Sequence, residues 1–82
     1  MNLTFLERNQ IKFLLPMKGD LQTLELVEKI LDKTVKDKNE EEIEIYFDIK
    51  EIEFLKSMIS ILDKCQNLNF QSLSLIKKIL RS

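Results

Sequence analysis

Few side chains in this 82-residue sequence could do chemistry. Cys65 is the single cysteine and there is no histidine, so a thiolate–imidazole pair cannot form and the commonest neutral-pH acid–base group and metal ligand is missing. Ser57, Ser60, Ser72 and Ser74 lie outside any Gly-x-Ser-x-Gly setting, and no Ser-x-x-Lys pair opens a predicted helix; they read as helix-surface or capping residues. With Gly19 as its one glycine, the chain has no glycine-rich loop to cradle a phosphate or a dinucleotide. No enzyme and no cofactor are expected, and Cys65 reads as an ordinary residue on the apolar face of a helix.

Two charged clusters remain. Glu40, Glu41, Glu42 and Glu44 are of the type that ligates hard cations, yet they lack the Asp/Asn spacing and turn glycine of a calcium loop, so no metal site is expected. Glu41, Glu42, Glu44 and Tyr46 read instead as an exposed acidic face on which a protein partner could dock. Lys77, Lys78 and Arg81 cluster near the end of the chain, where cations complement the negative end of a helix dipole. The alternative for these three is contact with nucleic-acid phosphates. A net charge of −1 and the want of interleaved aromatic residues argue against it.

The elements that position these residues follow from periodicity. Thr4-x-x-Glu7 has the form of a capping box and predicts a first helix from Thr4 to Leu15, though its apolar residues are scattered around the helical wheel. The only proline and the only glycine, in Pro16-Met17-Lys18-Gly19, mark a break. Asp20 then caps a second helix to about Lys36, whose apolar positions from Leu21 to Val35 span an arc wide enough for two neighbours. The polar run from Lys36 to Glu42 predicts an exposed loop.

From Glu42 to Phe47 the pattern alternates, with Ile43, Ile45 and Phe47 on one face, and predicts a strand. Its partner must be Asn2-Leu3-Thr4 or the same strand of a second chain. A second capping box, Asp48 with Glu51, opens a third helix to about Lys64. Asn69 caps a last helix carrying Phe70, Leu73, Leu75, Ile76, Ile79 and Leu80.

Length allows one domain over residues 1–82, and 44% apolar with 33% charged residues is the balance of a chain that folds. The lone cysteine fits a reducing compartment, the N-terminus lacks the pattern of a leader, and no apolar run approaches a membrane span. A cytoplasmic location is expected. The fold class expected is α+β, predominantly α: four helices with one short strand or a two-stranded ribbon, the second and third helices at the centre.

The opening Leu3-Thr4-x-x-Glu7-Arg8, the turn Leu14-Leu15-Pro16-x-Lys18-Gly19 with Thr23-Leu24 behind it, and the closing Leu68-x-x-x-x-Leu73-Ser74-Leu75 resemble a group of small uncharacterised bacteriophage and prophage proteins. That resemblance implies a bacterial host cell and supplies no catalytic residues. The wide apolar arcs of the two long helices and the strand's want of partners lead to the expectation of a non-enzymatic, homodimeric protein that binds another protein, and in a phage context an inhibitor of host defence or regulation is one concrete form. The alternatives are a small DNA-binding regulator using the C-terminal helices and a structural component of an assembly.

Overall fold

In the computed structural model, which describes residues 1–35 and 40–82, the chain begins as strand β1 (Asn2–Leu3) and passes through Thr4 into helix α1 (Phe5–Gln10). The Thr4 hydroxyl accepts from the Glu7 amide at 3.1 Å and the Glu7 carboxylate accepts from the Thr4 amide at 3.0 Å, so the predicted capping box is formed in full. The predicted helix to Leu15 is not one helix. After Gln10 the chain tightens into a 3₁₀ turn over Ile11–Leu14, and the extended backbone of Leu15 ahead of Pro16 ends it. This change of pitch explains the scattered wheel: three residues per turn put Ile11 and Leu14 on one buried face and leave Lys12 and Phe13 outside.

Helix α2 (Leu21–Thr34) starts on Asp20, whose carboxylate accepts from the Thr23 amide at 2.8 Å. Val27, Ile30 and Thr34 are buried, but Leu21 and Leu24 at its N-terminal end stay exposed, so the wide arc is only partly covered. The predicted exposed loop falls at Lys36–Asn39 outside the described residues; Glu40, Glu41 and Glu42, which follow, are exposed.

Strand β2 (Ile43–Glu44) pairs antiparallel with β1 in the register Asn2 to Glu44 and Leu3 to Ile43, and the Ile45 amide and carbonyl bond to Met1 beyond it. The ladder is shorter than the predicted strand because Thr4 already turns into α1 and leaves no partner further along. Alternation holds: Ile45 is buried and Ile43 and Phe47 half-buried, while Glu42, Glu44 and Tyr46 face out. The ribbon closes within one chain, so it gives no reason for a second.

Helix α3 (Ile49–Lys64) opens on the second capping box, with Asp48 and Glu51 exchanging bonds of 2.8 and 3.0 Å. It ends in a Schellman arrangement: the Asn67 amide reaches the Leu62 carbonyl at 2.8 Å, the Gln66 amide reaches Asp63 at 3.0 Å, and Gln66 adopts φ 56°. Cys65 therefore sits where the helix stops and is exposed, not part of the apolar face as expected. Asn69 caps a 3₁₀ turn (Phe70–Ser72), through its side chain to the Gln71 amide at 2.9 Å, and α4 (Leu73–Leu80) follows only then. That offset turns Phe70 outward, 85% exposed, instead of onto the apolar face of α4.

The described residues thus form four helices and a two-stranded antiparallel ribbon, an α+β fold dominated by α. Leu3, Ile11, Ile30, Leu55, Leu75 and Ile79 are fully buried and draw the core from β1, the first 3₁₀ turn, α2, α3 and α4. The closest backbone packing centres on α3, against α4 and the first 3₁₀ turn, and α2 joins mainly through Val27 and Ile30; this corrects the expectation that α2 and α3 together form the centre. Among the described residues no helix is long and apolar enough to cross a membrane.

Candidate interaction surface

The structure puts its ionisable groups to architectural use. Glu7 is almost completely buried, and Lys78 Nζ on α4 meets its carboxylate at 2.7 Å while also donating to the Asn2 carbonyl of β1 at 2.8 Å. Burial opposes ionisation of Glu7, but hydrogen bonds from Lys78, the Thr4 amide and Ser74, with the charge of Lys78, outweigh it and hold the carboxyl below its ordinary value. Glu51 is fully buried, and Lys33 of α2 meets it at 2.5 Å and donates to the Tyr46 carbonyl at 3.1 Å. Arg8, also buried, donates from Nη2 to the Glu41 carbonyl at 3.1 Å and lies 5.6 Å from the Phe5 ring centre.

The acidic candidates lie where expected on the surface. Glu42, Glu44 and Tyr46 share the outer face of β2, and a hydrogen bond to Glu44, then its charge, raises the Tyr46 phenol above its ordinary value. Glu41 is exposed as well, its carbonyl engaged by Arg8.

The basic candidates do not act as one group: Lys78 is drawn toward Glu7 and stands 3.9 Å from Glu42, whereas Lys77 and Arg81 are exposed in the last turn of α4 and just beyond it. One end of the acidic face is thereby partly neutralised. Among the described residues no three Cys, Asp or Glu side chains group as metal ligands.

An apolar groove escaped sequence reasoning. A groove of about 550 Å³ runs between the first 3₁₀ turn with the Pro16 bend and the C-terminal half of α2, lined by Lys12, Phe13, Leu15, Met17, Leu31 and Val35. Phe13 is 66% and Met17 88% exposed, so two large apolar side chains stand in solvent at its edge. The Lys12 ammonium lies 5.4 Å from the Phe13 ring centre, leaving the remaining wall uncharged. The one available signal was the apolar scatter around the wheel of the first predicted helix, which marked residues that one face could not bury. Compared with models of known protein families, with curated proteins and with solved structures, the chain matches none.

Proposed function

We propose that this chain is a non-enzymatic interaction protein that works by occupying a surface on another protein. The observation that carries this reading is the apolar groove with Phe13 and Met17 exposed beside it. Large apolar side chains gathered around a concavity are the usual mark of a protein-binding surface, since each costs free energy while it faces water. The acidic outer face of β2, with Glu44 and Tyr46, is a second contact area suited to a basic rim on the partner. The resemblance to phage and prophage proteins of the Leu3 to Arg8 opening, the Leu14 to Gly19 turn and the Leu68 to Leu75 segment, taken together, supports a partner in the cytoplasm of a bacterial host, with a defence or regulatory protein as the target class.

Affinity capture on immobilised chain, run in parallel with Phe13→Glu, tests this. The expected result is a protein, self or foreign, that the original chain retains through nuclease treatment and moderate salt and that Phe13→Glu releases. Retention of nucleic acid alone, weakening steeply as salt rises, would overturn the reading in favour of a DNA-binding regulator.

A further inference from the structure

We infer that Lys33 and Lys78 guard the edges of the ribbon: each holds an outward carbonyl of one strand and so keeps the ribbon of a second copy from pairing there.

The ribbon has two edges, since no third strand is present among the described residues. Met1 and Ile45 exchange both of their backbone hydrogen bonds, at 2.8 and 3.1 Å, so by the alternation of a ladder the backbone groups of Asn2 on one side and of Tyr46 on the other point away from it. Outward groups of this kind are a template for a further strand. Here the two carbonyls are taken by lysines. Lys78 Nζ reaches that of Asn2 at 2.8 Å and Lys33 Nζ that of Tyr46 at 3.1 Å.

The same unit is built twice. Each guarded carbonyl lies two residues before a helix cap, Thr4 or Asp48, and the glutamate three residues after that cap, Glu7 or Glu51, holds the lysine. One carboxylate oxygen accepts from the cap amide at 3.0 Å in both units, and the same oxygen accepts from Lys78 at 2.7 Å or from Lys33 at 2.5 Å. The lysines come from α4 and α2, 76 and 13 residues away from the carbonyls they hold, so nearness in the chain does not account for the recurrence.

A lysine lying freely on an edge swings aside at little cost. These two are tied inward: their side chains are 34 and 39% exposed, whereas those of Glu7 and Glu51 are 6 and 0% exposed. A strand arriving at either edge must draw the ammonium off the carbonyl and thereby loosen the counter-charge of a buried carboxylate. The core, through its glutamates, holds the guard in place.

Light scattering over a concentration series, with amide I infrared spectra to register pairing of strands between molecules, tests this in a Phe13→Glu background, where groove contacts do not contribute. Lys33→Met and Lys78→Met keep an aliphatic stem and remove the ammonium; both should associate at roughly tenfold lower concentration than their parent and gain an intermolecular β band. Lys33→Met combined with Glu51→Gln removes the buried charge together with its partner and leaves an acceptor for the Asp48 amide, so it should fold and still associate. Ile30→Val, which weakens the core and leaves both lysines in place, should behave as the parent does.

A folded double variant that associates no more than its parent overturns the inference. So does equal association of Ile30→Val, which makes lost stability the cause. If the variants at Lys33 do not fold, Lys78→Met decides by the same criterion.

Discussion

The two capping boxes share a local design and differ in how well their buried carboxylates are supported. Glu7 and Glu51 occupy the same helical position, each bonds back to its cap residue, and each is met by a lysine from a distant helix that also grips a carbonyl of the ribbon or of the residues just beyond it. Glu7 keeps the Thr4 amide and Ser74 as further donors besides Lys78. Glu51 has Lys33 and the Asp48 amide on one oxygen, while its Oε2 is buried with no partner among the described residues. The tie at Glu7 is redundant and the tie at Glu51 is not. A buried carboxylate is costly when its counter-charge is removed, so redundancy decides which lysine matters more.

Lys33→Ala should therefore have the largest effect, about 2–3 kcal/mol of lost stability, below the full range for a broken buried pair because water reaches Lys33. Lys78→Ala should cost less, about 1–2 kcal/mol, since Glu7 keeps two donors. Urea unfolding of both variants measures the order. Equal losses, or a greater loss at Lys78, would break the comparison.

Acid sharpens it. A carboxyl held below its ordinary 4.5 in the folded state contributes stability that is fully present above that pH and disappears as pH falls through the lowered value. The sign is fixed: the folded chain binds fewer protons at Glu7 than the unfolded chain, so acid favours unfolding. In Lys78→Ala the lowering should shrink and the acid-side slope of stability flatten, read by NMR titration of the Glu7 carboxyl alongside unfolding at each pH.

Both boxes could be read from the sequence because a cap and its glutamate lie three residues apart. The lysines could not: Lys78 is 71 residues from Glu7 and Lys33 is 18 from Glu51, separations at which only the folded core decides who meets whom. The ribbon was half readable, since the alternation of Ile43, Ile45 and Phe47 demanded a partner and left two candidates, Asn2-Leu3-Thr4 or the same strand of a second chain, between which the fold decided. The groove was hidden by a change of helical pitch after Gln10, which no residue between Ile11 and Leu14 announces. The outward turn of Phe70 has the same origin, a 3₁₀ start where Asn69 promised an α-helix.

Gln66 marks a smaller effect. It closes α3 with φ 56°, a conformation that suits glycine better than a residue with a Cβ. Gln66→Gly should raise stability by about 1 kcal/mol, read from the urea midpoint. No gain would mean that side-chain contacts of Gln66 offset the strain. The smallest effect expected is at Tyr46, whose phenol should titrate above 10.0 and return toward it in Glu44→Gln, followed by ultraviolet absorbance. An unchanged titration there would remove Glu44 as the cause.

The central claim is that the exposed apolar residues beside the Pro16 bend form a contact surface. Affinity capture on the immobilised original chain and on Phe13→Glu, side by side at matched loading, tests it most directly. The account expects the first to retain a protein partner and the second, still folded by circular dichroism, to lose it. Identical retention by both, or retention by neither, would contradict it.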